Sequence, residues 1–284
     1  MEPYCTDPEE LMSAARNTLF TALACLSVSA ASLTAPASAQ SPAEASAPAS
    51  AATTTATGLR AASNALYENW AGYQVAAKNP TQARGSWTVP KASWPGRDGY
   101  SNMWVGLGGG NRAQGQLIQA GTEHDSKCVA LRAGKCSKWK NDYYLWVETF
   151  PQRSQERITN LPVSPGDPVR VAVRWSARDS RAYFTLCNER LQRCVVTSRA
   201  TSAPKGVAEF VLERPSRADG RPLALANTRT VSFRQLSVTD ASGTRVPKKM
   251  AHTRILMFNG NLLASPGAWS ASGNGFPVTF KRAA

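Results

Sequence analysis

The period-two alternation of Val169–Arg178 (VRVAVRWSAR) constrains the fold more than any other feature of the chain. Successive side chains of a strand point to opposite faces, so Val169, Val171, Val173 and Trp175 share one side while Arg170, Ala172 and Arg174 share the other. One apolar and one solvated face is the signature of an antiparallel sheet. Comparable short runs, rich in Val, Thr, Tyr, Phe and Trp and separated by Gly, Pro, Asn and Asp, recur from about Leu66 to Phe280. They predict strands at Ala71–Ala76, Ala83–Val89, Asn102–Gly106, Gln116–Ala120, Tyr143–Thr149 and Val169–Trp175. Further strands are expected at Ala182–Cys187, Gln192–Ser198, Ala208–Leu212, Thr230–Thr239, Arg254–Phe258 and Phe276–Phe280. No amphipathic helical pattern lies between them, which predicts an all-β sandwich or barrel rather than an α/β fold.

The first 65 residues do not belong to that pattern. Arg16 followed by the apolar run Thr18–Leu33 and the small-residue site Ala37-Ser38-Ala39 reads as a secretory signal peptide, preceded by an N-terminal extension, so residues 1–39 are expected to be a leader. Residues 40–65, dominated by Ala, Ser, Thr and Pro, read as a linker or short propeptide because they lack the apolar content to build a core. The folded domain is expected at 66–284, and the protein is expected to be secreted, extracellular or periplasmic. No later apolar stretch is long enough for a membrane-spanning helix, so no membrane partner is expected once the leader is removed.

An export signal implies an oxidising compartment, and four cysteines remain beyond the leader. Cys128 and Cys136 flank one short polar turn, Cys187 and Cys194 another, so two local hairpin disulfides are the simplest pairing. Zinc is the competing use, but neither pair has C-x-x-C spacing and only His124 lies near either. The net charge of +14 comes from Lys and Arg scattered along the chain without a dense basic run, which suits a generic basic surface better than a nucleic-acid stripe.

Familiar hydrolytic signatures are missing: there is no G-x-S-x-G elbow and no H-E-x-x-H, and His124 and His252 are the only histidines. His124 follows Gly121-Thr122-Glu123 in a loop-like context, where a solvated ring is expected. Two polar groups within strand-like runs stand out. Gln119 lies at the end of the apolar run Gln116–Ala120, itself preceded by the glycines Gly108–Gly110. In Gly206–Pro215 (GVAEFVLERP), Val207, Glu209, Val211 and Glu213 share one face of a strand and Ala208, Phe210 and Leu212 the other. Two carboxylates there are either exposed on a convex face or desolvated in a groove, where a raised pKa suits acid–base work.

The ordered segments NWAGY (Asn69–Tyr73), WTVP (Trp87–Pro90), MWVGLGG (Met103–Gly109), LIQAGTE (Leu117–Glu123), YYLWVETFP (Tyr143–Pro151) and AEFVLERP (Ala208–Pro215) resemble the glutamic peptidases, or eqolisins. The resemblance runs from about Asn69 to the C-terminus. It implies an antiparallel β-sandwich of the concanavalin A-like lectin/glucanase type and hydrolysis of peptide bonds at acidic pH, with no metal, cofactor or covalent intermediate. Carried over residue by residue, it implies a catalytic pair of Gln119 and Glu209, with Trp104 and Glu148 as substrate-cleft residues. Glu209 would deprotonate a water and return the proton to the leaving amine, while the Gln119 amide would orient that water and stabilise the oxyanion. The chain departs from the family pattern at Gly108, where an aspartate is frequent, and at Phe210, where tryptophan is usual. The expected partners are protein or peptide substrates acted on by a monomer, with no nucleic acid. The competing readings are a non-catalytic lectin-like sandwich that binds polysaccharide or peptide, and a glycoside hydrolase using Glu209 with Glu148 or Glu213.

Overall fold

The computed structural model describes residues 64–93, 98–110, 116–217 and 219–283. The leader and nearly all of the expected linker lie outside these residues. The first strand, β1 (Asn64–Tyr67), starts inside the segment read as linker up to residue 65.

One sheet is built from β2 (Trp70–Ala76), β4 (Asn102–Gly108), β5 (Leu117–Arg132), β6 (Lys135–Phe150), β7 (Arg153–Ile158), β11 (Val207–Glu213), β14 (His252–Asn259), β15 (Asn261–Pro266) and β16 (Phe276–Phe280). Its strand order is β16-β15-β14-β2-β11-β4-β5-β6-β7, with β1 added parallel to β14. The second sheet orders β10 (Arg193–Ala200), β9 (Arg181–Asn188), β8 (Pro168–Ser176), β3 (Gln82–Thr88) and β12 (Thr230–Asp240), with the short β13 (Gly243–Arg245) on the far side of β12. Strand β12 belongs to both sheets. Thr230–Phe233 pairs with β16, and the stretch from Arg234 to Thr239 pairs with β3, with a register shift between Arg234 and Ser237. A break of this kind lets one strand turn a sandwich corner.

The core lies between the two sheets and follows from the alternation. Val169, Val171 and Val173 of β8 face inward with Ala182, Phe184 and Leu186 of β9. Opposite them, Val105 and Leu107 of β4, Ala208, Phe210 and Leu212 of β11 and Ile118 and Ala120 of β5 supply the other wall. Burying an aliphatic or aromatic side chain of this size contributes about 1.5–3 kcal/mol, so each strand is held by its inward row. Both disulfides expected from the cysteine spacing are formed, Cys128–Cys136 across the β5–β6 hairpin and Cys187–Cys194 across β9–β10.

Two features differ from expectation. Strands β5 and β6 are each 16 residues long, so residues 121–142, which lack apolar alternation, form the outer part of a long hairpin rather than loops. Consequently Gln119 sits near the start of its strand and not at its end. His124, expected in solvent, is fully buried in β5; its Nε2 meets the Thr122 hydroxyl at 2.7 Å, and that hydroxyl also accepts from Trp87 Nε1 at 2.8 Å. Burial pushes the imidazole down to about 3, which keeps it neutral.

Candidate active site

The opposite face of the first sheet, turned away from the main core, carries the residues singled out by sequence. Strand registers set Gln74, Glu209, Gly106, Gln119 and Glu148 side by side across β2, β11, β4, β5 and β6. Two residues along, the next row on the same face reads Gly72, Val211, Trp104, Gly121 and Trp146. The row beyond reads Trp70, Glu213, Asn102, Glu123 and Tyr144. Trp70, Trp104, Leu117, Trp146, Val211 and Ile255 form a second apolar cluster here, and Trp70 meets Trp104 edge to face at 5.1 Å. Glu209 and Glu213 therefore lie on an aromatic, desolvated face and not on an exposed convex one; both are buried.

Only Gly106 separates Glu209 from Gln119. Their backbones are two strand spacings apart, about 9.5 Å, and their side chains flank the position where Gly106 has none. A side chain at 106 would close it: a Cβ there would lie 3.0 Å from both Leu117 Cδ1 and Trp104 Cζ3. Gly109 borders the gap from above, its position for a Cβ lying 3.0 Å from Glu209 Oε2. At Gly108 the backbone takes φ +95°, and a Cβ would lie 2.2 Å from the Gln116 carbonyl oxygen. The main chain therefore excludes the aspartate frequent at that position in the family, whatever the chemistry.

Each member of the expected pair is held by one partner and keeps one oxygen free. Gln74 Nε2 donates to Glu209 Oε1 at 2.6 Å, while Glu209 Oε2 has no hydrogen-bond partner among the described residues. Gln119 Nε2 donates to Glu148 Oε2, and Gln119 Oε1 has no partner. Glu148 thus fixes which way the Gln119 amide points. Glu213 accepts from Trp104 Nε1 at 2.8 Å and from Asn69 Nδ2 at 3.1 Å.

Burial dominates the electrostatics. It pushes Glu209 up to about 8, against a smaller opposing pull from the Gln74 hydrogen bond. Glu213 is likewise pushed up to about 8 by burial, and Glu148 to about 7. Glu123, also buried, is driven well above its ordinary range by desolvation and then by neighbouring Asp125. Carboxyl groups with strongly perturbed pKa values, gathered on one face, are what acid–base chemistry requires.

The structure brings Gln119, Glu209 and Glu148 onto one row and Trp104 onto the next. Sequence reasoning missed Gln74 and Gly106. Gln74 had a signal: in WAGYQVA it falls on the face of Trp70 and Gly72, opposite Tyr73 and Val75. Neither histidine is placed for a nucleophilic triad, since among the described residues no carboxylate meets either ring: the Thr122 hydroxyl and, at 3.5 Å, the Ser101 hydroxyl face His124, and the Met250 carbonyl and Trp269 Nε1 hold His252. Among the described residues no cluster of three or more His, Cys, Asp or Glu is placed to hold a metal. Glu209 and Glu148 stand three strand spacings apart, about 14 Å between backbones.

The family that the sequence matches makes this chain a peptidase of the glutamic class. The chain belongs to the Peptidase A4 family, whose model matches residues 68–272. The fold is similar to that of scytalido-glutamic peptidase solved with a peptide-based transition-state analogue, at 20% identity and a TM-score of 0.59, over 75% of this chain and 98% of that one. It is similar to SCP-B, an eqolisin solved with the tripeptide Ala-Ile-His, at 18% identity and a TM-score of 0.55, again over 75% and 98%. Aspergilloglutamic peptidase from Aspergillus niger matches at 20% identity and a TM-score of 0.51, over 64% of this chain and 99% of that one. No curated protein sequence matches the chain.

Proposed function

We propose that this glutamic-type endopeptidase is secreted and cleaves peptide bonds at weakly acidic pH through a water held between Glu209 and Gln119. The observation that carries the reading is the pair of unpartnered oxygens, Glu209 Oε2 and Gln119 Oε1, flanking Gly106 on one row. Two acceptors across a small gap suit one water that donates to both. In this reading Glu209, ionised, takes a proton from the water as its oxygen attacks the scissile carbonyl, and then passes that proton to the leaving amine. Gln119 cannot ionise. Its Oε1 orients the water, and the Nε2 hydrogen not used by Glu148 stabilises the oxyanion. Trp104 and Glu148 border the cleft, Glu148 by holding the Gln119 amide in the required sense.

The ionised fraction of Glu209 sets the acid limb. With the carboxyl buried, that limb has its midpoint near 8, and a water held against Oε2 restores part of its solvation and draws the midpoint down. Activity is therefore expected to rise through the weakly acidic range. The test is digestion of denatured casein by the mature protein over a pH series, beside Gln119→Ala and Glu209→Gln. Cleavage in the wild type, abolished in both variants and indifferent to pepstatin and chelators, is the expected result. Persistent cleavage by Glu209→Gln would overturn the assignment, and no cleavage at any pH would favour a peptide- or polysaccharide-binding sandwich.

A further inference from the structure

At the edge of the fold, away from the Gln119–Glu209 row, the β5–β6 hairpin and the segment following β11 enclose an open depression of about 680 Å³. Asp98, Tyr100, Leu131, Arg214, Arg217 and Arg221 are among the residues lining it. Arg214 is 1% exposed and has no carboxylate partner among the described residues; its Nε donates to the Glu68 carbonyl at 2.9 Å and its Nη1 to the Leu223 carbonyl at 3.4 Å. Its Nη2 has no acceptor. Burial lowers this guanidinium to about 10, with only a lesser opposing effect from the charge of Glu68. A buried cation with an unused donor is costly unless an anion compensates it.

The acids nearby are already engaged. Asp219 pairs with Arg221 at 2.5 Å, and Asp98 accepts from the Cys128 amide at 2.7 Å and the Tyr100 hydroxyl at 3.3 Å. Arg217 is exposed and forms no ion pair among the described residues. Three arginines, set against Asp98 in the lining and Asp219 on Arg221, leave an excess of positive charge in the depression, and guanidinium donors suit phosphate oxygens.

The rim narrows the source of such an anion. Leu131 is 71% exposed and Val129 49%, two of the three large hydrophobic side chains found exposed among the described residues. Between Lys127 and Lys140 the hairpin also carries Arg132, Lys135 and Lys138 and no acidic residue. Apolar side chains gain nothing from a hydrated polyanion, but beside cations they favour a lipid interface. We propose that this depression receives the phosphate of an anionic phospholipid headgroup on Arg214 and Arg217, with Leu131 and Val129 entering the acyl boundary. This amends the expectation of no membrane partner and does not depend on the catalytic reading.

The test is sedimentation of the mature protein with phosphatidylglycerol/phosphatidylcholine vesicles and with phosphatidylcholine vesicles alone. Binding to the anionic vesicles only is expected. Arg217→Ala should weaken it about fivefold, the equivalent of about 1 kcal/mol per cation at an anionic surface. Arg214→Gln should weaken it at least as much, and Leu131→Ser should weaken it at unchanged charge. Because Arg217 is exposed, Arg217→Ala is expected to fold normally and to cleave a soluble peptide at the wild-type rate, which separates this site from the catalytic row. Absence of vesicle binding would overturn the proposal, including the case in which inorganic phosphate alone raises the melting temperature, which would mark a soluble-anion site. Vesicle binding unaffected by both Arg217→Ala and Leu131→Ser would also overturn it.

Discussion

Replacing Gln74 by methionine keeps the side chain's length but removes its 2.6 Å hydrogen bond to Glu209 Oε1. That bond favours the ionised carboxylate and pulls against the larger effect of burial. A hydrogen bond to a charged group is worth about 1.5–3 kcal/mol, and each pH unit corresponds to about 1.4 kcal/mol, so losing it should move the acid limb of kcat/KM up by about one to two pH units. The sign follows from the role of Glu209 as a base. A higher pKa leaves less carboxylate at any pH below it, so at pH 5 the rate should fall about 10- to 100-fold and recover as pH rises. The assay is kcat/KM against pH on an internally quenched peptide, with Gln74→Glu and Gln74→Asn as comparisons. A uniform loss at all pH values, with the limb unmoved, would refute the argument and make Gln74 a packing residue.

Two further expectations follow from the same face of the sheet. Glu213 and Glu148 are both pushed above the ordinary glutamate value, to about 8 and 7, so the folded state holds protons that the unfolded chain releases. Their contribution to stability is present at low pH and is lost as pH rises from about 4.5 to 8, at up to about 1.4 kcal/mol per pH unit for each group. The melting temperature should therefore fall across that window, and Glu213→Gln should flatten the fall; a melting temperature that rises from pH 5 to pH 8 would contradict the burial argument. Glu148→Ala should release the Gln119 amide and lower kcat about tenfold or more with little change in KM, whereas Glu148→Gln, which keeps an acceptor, should retain most activity.

How much of this was legible in the sequence depends on whether a residue faces apolar neighbours on one side only. Strands β8 and β9 alternate because one face enters the core, and their predicted limits agree to within one or two residues. The outer half of the β5–β6 hairpin has no buried face, so Lys127–Lys140 carries no alternation and its strands were invisible. Strand β7 (RSQERI) was missed for the same reason, every residue in it being partly or fully exposed. Gln119 and Glu209 could be picked out because polar groups interrupt apolar runs. Their convergence could not, since it depends on β11 lying between β2 and β4, a neighbourhood set by pairings more than 100 residues apart. Gln74 reaches Glu209 across 135 residues, and Gly106 matters only as the space between two side chains that the sheet brings together.

The central claim, that Glu209 and Gln119 act on one water, is tested most directly by a double-mutant cycle on kcat/KM. Groups that work as a unit are strongly non-additive, so Glu209→Gln, Gln119→Ala and the double variant should all fall to nearly the same residual rate. If the two losses in log(kcat/KM) simply add in the double variant, Glu209 and Gln119 act independently and the shared-water account is wrong.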